Sequence, residues 1–209
     1  MYKSYYYLNR LTVELNAVLS GKKIVSIFSQ DKDRLIVQID GSEELFIEFS
    51  VNHSEPFINV RRKYSRAKKN TIEIFNELLS KTIKEVLIAS DDRIIKITTD
   101  KGDLIFAIRG KYTNLFFNST NLLPFKNEYE ENLMKFKQEF ENKFFHKSLN
   151  IPESDFIEGK SIDEIRNRYR FIGREIENEV NARKQSNQSD SEILLNVLQD
   201  IFSEFPTVY

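Results

Sequence analysis

The sequence predicts an α+β protein, and three observations predict it. Short apolar runs of strand length fall into two blocks, one over about 24–60 and one over about 82–118, each with tight polar turns. An amphipathic helix opens the chain. From about residue 127 the apolar spacing becomes helical. Strands that cluster, rather than alternate with helices, favour α+β over a wound parallel sheet.

The opening helix is predicted over 5–19, because Tyr5, Leu8, Leu11, Leu15, Val18 and Leu19 recur at helical spacing and Gly21 can end it. Ile24-Val25-Ser26-Ile27-Phe28, Leu35-Ile36-Val37-Gln38-Ile39 and Leu45-Phe46-Ile47-Glu48-Phe49 then read as a three-stranded antiparallel meander, joined by polar turns. Phe57-Ile58-Asn59-Val60 reads as a short fourth strand. After a basic segment, Ile72, Phe75, Leu78 and Leu79 predict a helix near 70–80. Strands are expected over 82–88, 93–99, 103–109 and 113–118, with Asp100-Lys101-Gly102 as a hairpin signal. A long helical stretch follows over 127–146, then an irregular one over 147–160 holding Pro152 and Gly159. Ser161-Ile162-Asp163-Glu164 is a capping box that starts a helix to about Tyr169. A second helix from about Arg174 to Lys184 makes a helix–hairpin–helix candidate, and a polar linker leads to a last helix over 191–203. The expected division is 1–126, an α/β-sandwich domain; 127–184, a helical segment; and 185–209, a linker and further helix.

The 209 residues suffice for one large domain or one domain with an appendage. With no cysteine there are no disulfides and no thiolate metal sites. No apolar run is long enough to cross a bilayer, and the first seven residues do not resemble a signal peptide, so a cytoplasmic location is expected. The net charge of −1 argues that any polyanion site comes from local clustering. The 17 Phe and 9 Tyr read as sheet and core packing. His53 and His146 are too few and too far apart to suggest a metal cluster or triad, and the six glycines form no phosphate loop. Neither an enzyme nor a cofactor is expected.

Three features carry candidate chemistry. Asp92 and Arg93 stand at the mouth of a strand, where successive side chains face opposite ways, so each needs its own partner. Arg93 shares its row with Ile95 and Ile97, and a half-buried arginine needs a carboxylate or a phosphate. From the residues alone a structural Arg–acid pair is favoured over a recognition site. The run 61–69 holds six cations, Arg61, Arg62, Lys63, Arg66, Lys68 and Lys69, with no acid inside it. A solvated loop competes there with phosphate contact. Arg170 and Arg174 lie in the helical hairpin, where helix N-termini can face a phosphate, although five acids dilute the charge.

Asp92-Arg93-Ile94-Ile95, followed by the stretch from Leu104 through Arg109-Gly110 to Asn114-Leu115, resembles the N-terminal domain of the NFACT family. These are ribosome-associated quality-control factors, also called fibronectin-binding protein A-like. Glu14-Leu15-Asn16 with Gly21, Ile27-Phe28-Ser29-Gln30 with Asp33-Arg34-Leu35, and Phe171-Ile172-Gly173-Arg174 also agree in order and spacing. The resemblance implies a β-sandwich with flanking helices, similar to the N-terminal domain of formamidopyrimidine-DNA glycosylases, then a helix–hairpin–helix. It implies a binding factor, not an enzyme. Such a factor engages the large ribosomal subunit with peptidyl-tRNA and brings tRNA, in bacteria alanyl-tRNA, for C-terminal alanine tailing. It implies that Asp92 and Arg93 are the tRNA-binding pair. The chain departs from the family pattern at Ser4, where an Asp is common, and over 65–70, where a Pro-rich segment is common. The family also continues into a coiled coil and a second RNA-binding domain, so the chain is expected to be an N-terminal fragment. A nucleic-acid lesion enzyme on the same scaffold and a fibronectin-binding surface adhesin are the competing functions.

Overall fold

The computed structural model describes residues 4–41, 43–67, 69–148, 152, 154–169, 171–184 and 188–203. Helix α1 (Tyr5–Leu19) opens the chain with Ser4 as its N-cap, whose side chain makes no capping hydrogen bond. Strands β1 (Ile24–Asp31), β2 (Arg34–Ile39), β3 (Leu45–Ser50), β4 (Phe57–Arg61) and β5 (Ile72–Glu73) form one antiparallel sheet, in the order β4-β3-β2-β1-β5. Strands β6 (Ile83–Ala89), β7 (Ile94–Thr99), β8 (Asp103–Ala107), β9 (Asn114–Asn118), β10 (Leu122–Pro124) and β11 (Phe145–His146) form a second, in the order β10-β9-β8-β7-β6-β11. Between β10 and β11 runs α2 (Glu130–Asn142); α3 (Ser154–Ile157), α4 (Ile162–Arg168), α5 (Arg174–Arg183) and α6 (Asp190–Ser203) complete the fold. The architecture is α+β, as the clustering of strands predicts.

Strand alternation sorts the side chains into two layers. Leu35, Val37, Ile47, Phe49, Ile95, Ile97, Leu104 and Phe106 enter one large core shared by the two sheets, and Phe49 meets Phe106 edge-on with ring centres 5.7 Å apart. Helix α1 lies along β6, where the Asn16 side chain accepts the Val86 N–H at 2.9 Å, beside a register shift in that strand. The outer face of the second sheet (Ala89, Ile94, Ile105, Ala107, Phe116) is covered by Phe136 and Phe140 of α2. The outer face of the first sheet carries a smaller cluster of Phe28, Ile36 and Phe46, with Tyr64 packed on it.

Two expectations are corrected. The segment 70–80 is not a helix: it holds β5 and a 3-10 turn over Asn76–Leu78. Asn70, Phe75 and Ser80 adopt φ of 60°, 55° and 62°, which interrupts any helix three times. The apolar stripe also misleads, since Ile72 is 70% exposed while Leu78 is buried. The stretch 127–146 is shorter as a helix than expected, because the free edge of β6 takes Phe145 and His146 as a two-residue strand opposite Ala89 and Ile88.

Candidate functional site

The turn from β6 to β7 is fixed at each residue. The Ser90 N–H and hydroxyl both donate to the Phe144 carbonyl, at 2.9 and 3.1 Å. Asp92 Oδ1 accepts the Arg93 N–H at 2.7 Å, and the Arg93 carbonyl accepts the Ile108 N–H at 2.9 Å. Arg93 is thus held on both sides of its Cα, with a half-buried side chain. Asp92 Oδ2 accepts from Arg109 Nη2 at 2.7 Å. The same guanidinium donates to both oxygens of Glu139 on α2, with Nη1 to Oε2 at 2.7 Å. Asp92 therefore lies on the α2 side of the sheet with Ile94, as alternation requires.

Lys143 completes the cluster, with Nζ 2.9 Å from Asp91 and 3.7 Å from both Asp92 and Glu139. Three carboxylates thus surround two largely buried cations. Burial pushes the Arg109 pKa down, but its hydrogen bonds to Glu139 and Asp92 outweigh this and hold it above its usual value. The Arg109 guanidinium holds the Glu139 carboxyl below the usual range. Asp92 thus uses both carboxylate oxygens in contacts within the protein.

The basic segment differs from expectation in one respect. Three of its arginines meet acids outside the run: Glu43 and Glu48, brought beside it by the pairing of β3 with β4, and Glu73, seven residues beyond Arg66. Arg61 pairs with Glu48 at 2.8 Å, Arg62 with Glu43 at 3.4 Å and Arg66 with Glu73 at 3.0 Å. Arg66 also lies over the Phe28 ring, 4.5 Å from its centre. Lys63 and Lys69 are exposed, and Lys68 lies outside the described residues. In the helical tail the Ser161–Glu164 capping box is present, and Arg174 is exposed at the first position of α5. Arg170 lies outside the described residues. The turn at 92–93, the basic segment and the tail hairpin belong to different elements.

Sequence reasoning missed Arg109, Glu139 and Lys143 as partners of the turn, and Glu48 as the partner that Arg61 shares with Arg34. Two signals point to them: an arginine directly after the buried run Leu104–Ile108, and a single carboxylate inside the apolar strand Leu45–Phe49. An open groove of about 860 Å³ lies between the β1–β2 turn and residues 125–127, with Lys126 tied to Asp33 at 2.6 Å on its wall. His146 meets the Tyr5 hydroxyl at 3.2 Å. Among the described residues no group of three His, Cys, Asp or Glu side chains can hold a metal, and no helix is long and apolar enough to cross a membrane.

No family model and no curated protein sequence matches the chain. Solved structures do match in fold. The chain is similar to the fibrinogen binding protein from Staphylococcus aureus, with a TM-score of 0.69 and 14% identity over 96% of this chain and 83% of that one. It is similar to the N-terminal part of the fibronectin/fibrinogen-binding protein from Streptococcus suis, with a TM-score of 0.68 and 14% identity over 93% and 83%. It is also similar to the N-terminal domain of fibronectin-binding protein PavA from Streptococcus pneumoniae, with a TM-score of 0.56 and 16% identity over 95% and 80%. At such identities the likeness is one of fold, and the chain has the fold of these N-terminal domains.

Proposed function

We propose that the chain is the N-terminal module of a cytoplasmic ribosome quality-control factor of the NFACT type. In this reading it binds tRNA, alanyl-tRNA in particular, and the large ribosomal subunit carrying peptidyl-tRNA. It supports alanine tailing of stalled chains as a binding factor, while the ribosome makes the bonds. The observation that carries the reading is the clamped Asp92–Arg93 turn. Asp92 accepts the Arg93 N–H and is tied to Arg109, so the carboxylate fixes the backbone from which the Arg93 side chain departs. A guanidinium set on a rigid turn loses less freedom when it meets a phosphate or a base edge. The exposed cations Arg62, Lys63, Lys69 and Arg174 supply further phosphate contacts in this reading.

Filter binding of alanyl-tRNA, duplex DNA and abasic DNA at several salt concentrations tests it. Wild type is expected to prefer tRNA, and Arg93→Ala to weaken that binding about tenfold, the loss of a strong charged contact. Equal binding of all three nucleic acids, unchanged by the substitution, would refute the tRNA role. Cleavage of the abasic strand would favour the lesion enzyme instead. A second reading, an adhesin, is favoured by the names of the structural neighbours, which bind fibronectin or fibrinogen. Saturable binding to immobilised fibronectin, with no tRNA binding, would select it.

A further inference from the structure

The outer face of the first sheet holds a charge that its packing does not require. Glu48 is 1% exposed, on the same face of β3 as Phe46 and beside Ile36 of β2. A carboxylate gives up its water there, and an apolar side chain of similar volume would pack at least as well. Its Oε1 accepts from Arg34 Nη1 at 2.9 Å. Its Oε2 lies 2.8 Å from Arg61 Nη2, an ion pair short of hydrogen-bond geometry. What the carboxylate accomplishes is convergence. Arg34 stands opposite Ser50 and Arg61 opposite Phe46, so the two arginines reach Glu48 along opposite diagonals from the strands on either side. Both remain about half exposed, at 49% and 45%.

Each guanidinium has five N–H donors, and one carboxylate oxygen occupies few of them. Arg66 adds a third guanidinium, laid over Phe28 and tied to Glu73. From the strand of Phe28 to that of Arg61 is three strand spacings, about 14 Å. That is room for more than one phosphate of a chain and more than a single small anion needs. Asp31, 3.7 Å from Arg34, Glu43, beside Arg62, and Glu73, paired with Arg66, are the acids at the rim.

We infer that this face binds the phosphodiester backbone of an RNA strand, with Arg34 and Arg61 contacting phosphate and Glu48 as their positioning residue. The inference rests on the RNA-binding reading above but concerns a different surface from the Asp92–Arg93 turn.

The test is a salt titration of the 209-residue chain with an oligouridylate of about 20 nucleotides, which lacks tRNA structure. Arg34→Ala/Arg61→Ala is expected to reduce the slope of log K against log salt by about 1.4, or 0.7 for each of two contacts on a single strand. Because that variant strands a buried carboxylate, the triple variant Arg34→Ala/Glu48→Gln/Arg61→Ala is measured beside it, with the same slope expected. Glu48→Gln is the decisive variant. It raises the net charge by one from −1, so a diffuse positive potential would tighten RNA binding, whereas lost alignment weakens it severalfold. An unchanged slope in the triple variant, or tighter binding by Glu48→Gln, overturns the inference. Arg93→Ala read against alanyl-tRNA reports on the turn alone, so the failure of either reading is seen separately.

Discussion

Arg109 joins two elements through one guanidinium, donating to Asp92 on the β6–β7 turn and to Glu139 on α2, above the rings of Phe136 and Phe140. Arg109→Met keeps the stem on those rings and removes the donors. The expected loss is about 1–3 kcal/mol in urea denaturation at neutral pH, the scale of hydrogen bonds to charged groups. The loss depends on pH with a definite sign. Because the guanidinium depresses the Glu139 pKa, the folded state binds that proton less readily than the unfolded one. Its stabilisation is complete above the unfolded value, near 4.5, and is lost as pH falls through the lower folded value. Wild type and variant are therefore expected to converge in acid. A gap that stays constant from neutral pH into that range would show that Arg109 acts by packing alone.

Register decides more than composition at the level of the elements. The pairing of β3 with β2 and β4 sets Glu48 between Arg34 and Arg61, three residues that no local pattern connects. The β7–β8 hairpin shows the same control by close approach. A Cβ on Gly102 would meet the Asn118 carbonyl oxygen at 2.5 Å and the Phe117 ring at 3.0 Å. The oxygen belongs to the backbone of β9 and cannot swing away. Gly102→Ala is expected to cost about 1–3 kcal/mol by forced displacement of that strand, measured by thermal melting. An unchanged Tm would mean that the hairpin shifts without loss of pairing.

Helices of the tail belong to the same core as the sheets. Ile162, Ile165, Ile176, Val180, Leu194 and Val197 join Tyr5, Tyr6, Leu8 and the sheet interior in one continuous buried cluster. Phe171 is the junction, with ring centres 4.8 Å from Tyr5 and 5.9 Å from Tyr6. Far-ultraviolet and aromatic circular dichroism are therefore expected to report one coincident thermal transition. Phe171→Ala should lower it as a whole, by about 1–3 kcal/mol for a half-buried ring. Two separate transitions, with only the helical one moved by the substitution, would refute a shared core.

Much of this was legible in the residues and some was not, for identifiable reasons. The helix over 5–19, the strand blocks and the capping box at Ser161 were readable because each depends on period or on neighbours a few residues apart. The segment 70–80 misled because its apolar spacing fits a helix, whereas its backbone takes positive φ at Asn70, Phe75 and Ser80. At the turn, alternation separated Asp92 from Arg93 but could not name Arg109, Glu139 or Lys143, which lie up to 52 positions away. The basic run looked unopposed because its acids lie outside it: Glu43 and Glu48 arrive through the pairing of β3 with β4, and Glu73 follows Arg66 by seven residues. By itself, then, the sequence determined the α+β class, the strand blocks and a turn at Asp92–Arg93, since short-range sterics and hydrophobic period suffice for those. Only the tertiary structure decided that Arg109 meets Asp92 and Glu139 and that Arg34 and Arg61 meet Glu48, because these ion pairs form between elements and their geometry exists only once sheets and helices have packed.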